Sequence, residues 1–194
     1  EKWNALKPVW KQVHGIGYDW VTRPGQDLGE IDAMITRSPG MALAVVTADC
    51  VPILLLKRDG SQAAAIHAGW RGSLARITPT VWAALKAKGE VGSDWVAAIG
   101  PSIGPCCYEV DPELAERFRG QFGDKILPRH RILDLGELNR QELAAAGISA
   151  VDHLRVCTKC HRTRSGQHDF HSFRREKIGG TRQYSLLITS APSF

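Results

Sequence analysis

Long apolar runs are missing from this 194-residue sequence. Runs such as VPILLL at 51–56 are far shorter than the ~20 apolar residues that a membrane-spanning helix needs. No leading segment has the pattern of a secretory signal. Five cysteines cannot all pair within one chain because their number is odd, and this favours a reducing compartment. We therefore expect a soluble, cytoplasmic protein.

Internal repeats and low-complexity linkers are missing as well. A chain of 194 residues with 43% hydrophobic residues suffices for one domain with a sizeable core and is short for two. We expect residues 1–194 to form a single domain. The opening stretch EKWNALKPVWKQVHG resembles the interior of a longer chain, so we also expect that a natural N-terminal segment is missing.

Acidic residues are outnumbered, with 20 Asp and Glu against 25 Lys and Arg and a formal net charge of +5. The excess is concentrated at 155–182, which is equally consistent with an anionic partner such as phosphate and with a solvated basic face. Aromatic residues that could stack on bases are sparse there, and no nucleic-acid motif is present. We expect neither a nucleic acid nor a membrane as partner, and the oligomeric state stays open.

Strands and helices are expected without regular alternation. The segments MALAVVTADC and VPILLLKRDGSQAAAIHAG predict apolar strands, with a turn at Arg-Asp-Gly-Ser. Further strands are predicted within 93–99, 153–157 and 182–189, helices within 73–89, 111–120 and 135–147, and mostly loop at 158–182. This mixture favours an α+β domain with a mixed β-sheet and flanking helices over a doubly wound fold.

The stretch CTKCH at 157–161 carries a weak metal signal. It matches the pattern for covalent haem attachment, which belongs to exported proteins and conflicts with a reducing compartment. Adding His168 and His171 to Cys157 and Cys160 gives four zinc donors, although their spacing is not that of a zinc finger. A basic loop with incidental cysteines is the simpler interpretation.

A stronger set of metal donors comprises His14 in KQVHG, Cys50 in TADC and His67 in IHAGWRG. Each lies at a polar or glycine-containing junction beside an apolar strand, where a sheet can present side chains to a cleft. Two histidines and one cysteine suit Zn²⁺, and three ligands leave a fourth position open, as in catalytic sites. Taken singly, Cys50 is more typical of a buried apolar thiol and His67 of a satisfied core histidine.

Several motifs in a fixed order resemble one protein family. They are KQVHG, DAMIT, TADCVPILL, AAIHAGWRG, AIGPSIGPCCYEV, the helix with Asn139, Arg140 and Gln141, and CT followed by FHSFRREKIGGTRQ. From residue 10 to about 188 the sequence is similar to the multicopper polyphenol oxidases, or laccase-domain proteins. Members of this family are described as purine nucleoside phosphorylases with adenosine deaminase and methylthioadenosine phosphorylase activity.

The resemblance implies a zinc site at His14, Cys50 and His67, where Cu²⁺ could substitute, in the cysteine hydrolase-like α+β fold of the family. It implies phosphorolysis of adenosine, inosine or methylthioadenosine to the free base and ribose 1-phosphate, together with deamination of adenosine. Three departures affect the phosphate-binding region. The family's preceding segment with an Arg and a Gly-Gly motif is not in this sequence, Phe173 stands where the family has Tyr, and KCHRTRSGQHD looks inserted.

Roles for other residues follow from this chemistry. Phosphate binding suits arginine, whose planar fork makes bidentate hydrogen bonds, and the candidates in order are Arg71, Arg174, Arg175 and Arg182. Deamination needs a carboxylate that moves protons, and the candidates are Asp49 and Glu109. Asp49 could instead orient His14 or His67, and Glu109 could instead brace the following helix.

Two other activities are alternatives at this point. A multicopper oxidase needs roughly ten His ligands, largely in His-x-His pairs. This sequence has seven His and no such pair, which argues against the copper-dependent polyphenol oxidase for which the family was named. Cys50 as nucleophile, His67 as base and Asp49 as orienting group would instead make a cysteine hydrolase, or a hydrolase that edits peptidoglycan precursors.

Overall fold

The computed structural model describes residues 6–177 and 180–189 of the chain. The strands are β1 (Val9–Lys11), β2 (Tyr18–Val21), β3 (Asp27–Glu30), β4 (Ala33–Thr36), β5 (Ala42–Thr47), β6 (Val51–Lys57), β7 (Ala63–Ala68), β8 (Trp95–Ile99), β9 (Ala150–His153) and β10 (Gln183–Ile188). The α-helices are α1 (Trp70–Leu74), α2 (Ile77–Lys86), α3 (Pro112–Phe122), α4 (Leu135–Ala145) and α5 (Phe173–Glu176), with 3-10 turns at Gly92–Asp94 and Asp124–Ile126.

Six of these strands form a mixed sheet in the order β2-β4-β7-β6-β8-β9. β2 is parallel to β4 and β8 is parallel to β9, whereas the three central pairs are antiparallel. β5 and β10 form a separate antiparallel ribbon, and β1 and β3 form a short parallel pair. The expectation of an α+β fold with a mixed sheet and flanking helices is confirmed.

The sheet is covered on both faces. In β7, Ala64 and Ile66 belong to the apolar core beneath the helices, whereas Ala63 and Ala65 belong to a second core that includes residues of β5. Because side chains alternate across a strand, one face of the sheet meets the helices and the other meets the β5–β10 ribbon. His67 is two residues after Ala65 in β7, so its side chain lies on the same face of the sheet, towards the ribbon.

Helix α2 shows how its sequence pattern produces packing. Ile77, Val81 and Leu85 recur at helical spacing and are fully buried against the sheet. Burial of each such side chain contributes about 1.5–3 kcal/mol.

The pattern at 73–89 predicted one helix, and this was wrong, because Arg76 adopts a left-handed backbone with φ of 70° and separates α1 from α2.

The predicted strands agree with the structure in part. The turn at Arg-Asp-Gly-Ser joins β6 to β7 and the closing strand is β10, as expected. The strand predicted at 153–157 instead ends at His153, because residues beyond it make only an isolated bridge at Cys157. Among the described residues, no helix has both the length and the apolar character to cross a bilayer.

Asn139 on α4 connects three helices through a buried hydrogen-bond network. Its amide oxygen accepts from the Thr78 hydroxyl of α2 at 2.7 Å. Its amide nitrogen donates to the Ser73 hydroxyl of α1 at 3.2 Å and to the Leu135 carbonyl at 2.8 Å. This network fixes α1, which follows directly from the IHAG end of β7.

Glu142, one turn further along α4, is a buried carboxylate in an unfavourable environment. Its Oε1 lies 3.2 Å from Arg76 Nε, but neither carboxylate oxygen receives an aligned hydrogen bond from the described residues. Burial raises the pKa of Glu142 to about 7, and the positive charge of Arg76 only partly offsets this. The folded protein therefore holds the proton of Glu142 more tightly than the unfolded chain does.

This pKa predicts a pH-dependent cost to stability. Below the ordinary pKa of 4.5 the carboxyl is protonated in both states, and as the pH rises towards 7 only the unfolded chain loses the proton. We expect Glu142→Gln to have a larger free energy of unfolding than the wild type. This advantage should be about 2 kcal/mol greater at pH 8 than at pH 5. Urea unfolding at the two pH values measures this, with Glu113→Gln on the exposed side of α3 as control. A pH-independent difference for Glu142→Gln would contradict the assignment.

Candidate metal centre

His14, Cys50 and His67 lie together at one end of the six-stranded sheet. Their candidate ligand atoms are all within 4.8 Å of one another. The two imidazole rings meet edge to face, with centroids 4.8 Å apart and an interplanar angle of 77°. The structure thus brings together the three donors that the sequence singled out, in a group that could hold one metal ion.

A different part of the fold supplies each donor. Cys50 lies between β5 and β6, where the chain passes from the ribbon to the sheet, and His67 lies on β7 opposite Pro52. His14 follows β1. The side-chain amide of Gln12 donates to and accepts from the backbone of Val46, each at 2.8 Å, and this docks the His14 segment onto β5.

The backbone around the donors is unusual. His14 has φ of 61° and Asp49 has φ of 90°, both left-handed conformations that cost about 1–3 kcal/mol outside glycine and cluster at functional sites. Gly69 is also constrained, because a Cβ there would lie 3.0 Å from Cys50 Sγ and 3.1 Å from His14 Cδ2. Glycine at position 69 therefore allows the backbone after β7 to approach Cys50 and His14 closely.

Asp32 orients His67 and the segment that carries His14. The Oδ1 atom of Asp32 lies 2.7 Å from His67 Nδ1 and accepts from the His14 backbone N–H at 2.9 Å. Its Oδ2 accepts from the N–H of Gly15 at 2.6 Å and of Val13 at 3.3 Å. Because Nδ1 of His67 is engaged, Nε2 is the nitrogen left to face a ligand, the arrangement usual for a metal-binding histidine.

Asp32 was missed by the sequence analysis, although it opens the DAMIT motif. Its position follows from the antiparallel pairing of β4 with β7, in which Ala33 is opposite Ile66, so that the residue before β4 meets His67. Asp32 is only 1% exposed. The signal in the sequence that could have found it is an Asp directly before an apolar strand, since buried carboxylates are rare unless they are paired. The register between the two strands cannot be derived from the sequence alone.

The pKa values of this group reflect strong mutual interactions. Burial raises the pKa of the Cys50 thiol, but its hydrogen bonds with His14 and His67 and their charges lower it to about 7. Burial lowers the pKa of His67, but Asp32 and Cys50 outweigh this and raise it to about 9. Burial also opposes ionisation of Asp32, yet its hydrogen bonds with His67 and with Gly15 and His14 N–H groups keep its pKa below the ordinary value. A metal ion binds the thiolate of Cys50 and the neutral imidazole of His67, so metal binding here would displace the proton that the raised pKa of His67 retains.

A cavity of about 690 Å³ opens over the three donors. This volume lies within the range of about 300–1,000 Å³ that is typical of small-molecule sites. The lining includes five aromatic side chains and three arginines, namely Trp10, Trp70, Tyr108, Phe173, Tyr184, Arg71, Arg174 and Arg182. The cavity therefore combines flat apolar walls with positive charge.

Two of these arginines are held against aromatic rings. The guanidinium carbon of Arg71 lies 4.4 Å from the centroid of Trp70, and that of Arg174 lies 5.2 Å from the centroid of Tyr108. Arg174 Nη1 also donates to the carbonyl of Glu109 at 2.6 Å. Stacking fixes the planes of the guanidinium groups, which favours bidentate binding of an anion.

Arg175, also predicted as a phosphate contact, does not line the cavity. Its Nη1 donates to the carbonyls of Thr158 and Lys159, each at 2.9 Å, and its Nη2 donates to the carbonyl of Phe170 at 2.6 Å. The guanidinium group therefore holds the preceding loop in place. The structure brings three of the four predicted arginines to the cavity.

The two carboxylates predicted to move protons lie in different environments. Asp49 lines the cavity, and its two oxygens accept from the Thr158 hydroxyl and from the Arg174 backbone N–H, each at 2.7 Å. The alternative role for Asp49, orienting His67, belongs to Asp32 instead. Glu109 lies outside the cavity, where its exposed carboxylate pairs with Arg131.

The contacts of Asp32 lead to a testable expectation. Replacing Asp32 by Asn removes the charge that supports His67 and leaves an amide N–H facing backbone N–H groups. We expect Asp32→Asn to weaken metal binding at this centre by about 10–100-fold. Competition with a chromophoric chelator measures the affinity, and Asp152→Asn at an exposed position of β9 is the control. Equal affinities of Asp32→Asn and the wild type would show that Asp32 does not support this centre.

Two named proteins show what the chain is similar to. It is 41% identical over 143 residues to a purine nucleoside phosphorylase of Bacteroides thetaiotaomicron, which covers 68% of this chain and 52% of that protein. It is 35% identical over 164 residues to adenosine deaminase RL5 of an unknown prokaryotic organism, which covers 80% of this chain and 61% of that protein. The chain thus spans about half the length of the first relative and less than two thirds of the second.

The fold and the family agree with these relatives. The crystal structure of YlmD from Geobacillus stearothermophilus superposes with a TM-score of 0.83 at 29% identity, over 97% of this chain and 75% of that one. The sequence model of one family, described as multi-copper polyphenol oxidoreductase laccase, matches residues 4–190. The resemblance drawn from the motifs is therefore confirmed, and the chain belongs to the multi-copper polyphenol oxidoreductase laccase family.

Proposed function

We propose that this chain is a zinc-dependent purine nucleoside enzyme, which cleaves nucleosides with phosphate and deaminates adenosine. The observation that carries the proposal is one cavity in which His14, Cys50 and His67 lie beside three arginines. The names of the two relatives, a purine nucleoside phosphorylase and an adenosine deaminase, support the same substrate class. Cleavage would yield the free base and ribose 1-phosphate.

The donor set of the proposed centre fits zinc. Imidazole nitrogen and thiolate sulfur are both ordinary zinc ligands, and three protein ligands leave one position open, as in catalytic zinc sites. When bound at such a site, zinc supplies a Lewis acid and makes hydroxide available at neutral pH. The protein's part is to hold His67 in one orientation through Asp32 and to lower the pKa of the Cys50 thiol to about 7 through its contacts with His14 and His67.

The walls of the cavity suit a nucleoside and an anion together. The aromatic side chains of the lining offer apolar surface for a purine, while Arg71 and Arg174, held against Trp70 and Tyr108, bring positive charge to the same cavity. Phosphate binds arginine through charge-assisted, often bidentate hydrogen bonds. We assign Arg71, Arg174 and Arg182 to phosphate and substrate binding, and we omit Arg175 because its donors face backbone carbonyls.

Asp49 is the carboxylate that we assign to proton transfer. Of the two candidates it alone lines the cavity, and it is the neighbour of Cys50 in the chain. Its hydrogen bonds to Thr158 and to the Arg174 backbone fix the carboxylate in one orientation. A carboxylate beside an open zinc position is the arrangement that deaminases use to move protons.

Copper chemistry is the less favoured use of the same donors. Cu²⁺ binds nitrogen and sulfur ligands more tightly than Zn²⁺ and could replace it at His14, Cys50 and His67. Polyphenol oxidation by a multicopper enzyme requires several coppers with many histidines. The chain has seven histidines in all, and two of them, His14 and His67, already belong to this three-donor centre.

A cysteine hydrolase is a second candidate that one observation favours. Asp32 Oδ1 lies 2.7 Å from His67 Nδ1, and His67 faces Cys50, so the three side chains form a nucleophile, a base and an orienting group. In this reading Asp32 replaces Asp49 as the orienting carboxylate. The two candidates differ in whether Cys50 carries a metal or a free thiolate.

Metal analysis together with an adenosine assay tests the proposal. We expect Cys50→Ala to lose about one zinc per chain relative to the wild type, because one ligand of the centre is gone. We also expect it to form adenine and inosine more than about 100-fold more slowly. Chromatography of adenosine reactions with and without phosphate measures both products, and Arg117→Gln on the exposed side of α3 is the control.

The outcomes separate the two candidates. Adenine that forms only with phosphate indicates phosphorolysis, and inosine without phosphate indicates deamination. Equal zinc content in Cys50→Ala and the wild type, together with rapid alkylation of Cys50 in the wild type, would overturn the zinc proposal in favour of the cysteine hydrolase.

Arg71 allows the two proposed reactions to be distinguished. A charge-assisted hydrogen bond contributes about 1.5–3 kcal/mol, so we expect Arg71→Gln to raise the KM for phosphate by about 10–100-fold. Deamination does not use phosphate, and we expect its rate to change by less than about threefold. Initial rates over a range of phosphate concentrations measure the first effect, again with Arg117→Gln as control. An unchanged KM for phosphate would remove Arg71 from the phosphate site.

A further inference from the structure

Four cysteines form a second cluster beyond the ends of two neighbouring strands. β8 leads into the turn that carries Cys106 and Cys107, and β9 leads into the turn that carries Cys157 and Cys160. Because β8 and β9 are parallel neighbours, both turns emerge at the same edge of the sheet. The topology therefore brings together two cysteine pairs that are about 50 residues apart in the sequence.

Backbone contacts hold the two turns against each other. Ser102 and Cys157 form a parallel bridge, in which the N–H of Thr158 donates to the Ser102 carbonyl at 3.0 Å. The N–H of Gly104 donates to Cys157 Sγ at 3.3 Å, and the N–H groups of the two residues after Thr158 also face this sulfur. Several N–H groups directed at one sulfur stabilise it as a thiolate, the form that binds metals.

The four sulfur atoms have the spacing of ligands around a single ion. All four lie within 4.8 Å of one another, and Cys106 Sγ is 3.5 Å from Cys160 Sγ. Sulfur ligands at about 2.3 Å from a tetrahedral zinc lie about 3.8 Å from one another. A disulfide requires about 2.0 Å, and all four cysteines are free thiols in the structure.

We propose that Cys106, Cys107, Cys157 and Cys160 bind a structural zinc ion, separate from the centre at His14, Cys50 and His67. Four thiolates close the tetrahedron and leave no position for substrate, as in structural zinc sites. An iron–sulfur cluster also takes four cysteines, but it distributes them over several irons and so holds them farther apart than one ion does. The mutual spacing of these sulfurs therefore favours a single ion.

This site corrects the donor set that the sequence suggested. Cys157 and Cys160 belong to it, but the other two ligands are Cys106 and Cys107 and not His168 and His171. The imidazole Nδ1 of His168 faces the carbonyl of His161 at 3.2 Å, and His171 is exposed. The pairing of β8 with β9, which the sequence does not reveal, selects the cysteines.

The proposed zinc would support one wall of the neighbouring cavity. Thr158, between two of the ligands, donates its hydroxyl to Asp49 beside Cys50. The backbone N–H of Ile103, just before the first cysteine pair, donates to the Asp49 carbonyl at 2.9 Å. Both turns of the cysteine cluster thus contact Asp49, so a metal that joins them fixes its position.

Zinc analysis in the Cys50→Ala background tests this site independently of the proposed function. We expect Cys50→Ala to retain about one zinc per chain, held by the four thiolates. In the double variant Cys50→Ala/Cys160→Ser we expect the zinc content per chain to fall by about tenfold, since one of the four ligands is gone. Cys160 is exposed, so its replacement leaves the core unchanged. Cys50→Ala/His168→Ala is the matched control and keeps the zinc.

A spectroscopic and a chemical readout complete the test. Replacing zinc by Co²⁺ in Cys50→Ala should give the strong sulfur-to-metal charge-transfer absorption of a tetrahedral four-thiolate site. In zinc-loaded Cys50→Ala, N-ethylmaleimide should alkylate the four cysteines only after a chelator has removed the metal. This experiment needs no further variant.

Three outcomes would overturn the second site. They are Cys50→Ala without zinc, a Cys106–Cys160 disulfide in protein purified under reducing conditions, and iron in place of zinc. Loss of zinc from the His168 variant as well as from the Cys160 variant would assign the metal to the Cys2His2 set instead. Failure of adenosine turnover bears on the proposed function only and leaves these measurements unaffected.

Discussion

The hydrogen bonds of Asp32 are the interaction on which the candidate centre depends. One buried carboxylate accepts from a ring nitrogen of His67 and from three consecutive backbone N–H groups at 13–15. It thereby joins a rigid strand in the middle of the sheet to a loop with a left-handed residue, His14. Removal of this carboxylate would leave buried N–H groups without an acceptor, which is costly in a low-dielectric interior.

The types of donor could be predicted from the sequence, but the contacts between distant segments could not. His14, Cys50 and His67 stand out because each is a metal-binding side chain at the end of an apolar run. Asp32 does not stand out, because its role follows from the register of β4 against β7. Arg175 looks equivalent to Arg174 in the sequence, yet the two point in different directions on the short helix α5.

The same distinction explains the errors in secondary structure. Helical periodicity continues through Arg76, and only the backbone of that residue shows that α1 and α2 are separate. The general class of fold could be predicted because apolar runs, turns and amphipathic helices are local features. The short strands β1 to β4 have three or four residues each and little alternation, so their pairing depends on the sheet they join.

The family's name and its donors point to different chemistry. A multicopper oxidase would need histidine-rich copper sites, whereas the two compact donor groups of this chain contain its five cysteines and only two of its seven histidines. One group opens onto a cavity and the other is closed by four sulfurs. Thiolate and imidazole are ligands that zinc takes in both structural and catalytic sites.

The pairing of β10 with β5 has a consequence for how the molecule acquires its site. Gln183 is opposite Thr47, so this ribbon closes only after all the segments between them have been synthesised. Contacts between such distant segments raise the contact order and slow folding. Arg182 and Tyr184, which border the cavity, lie at the start of β10 and take their places when it pairs with β5. A nascent chain can therefore bring His14, Cys50 and His67 together well before β10 completes the lining of the cavity.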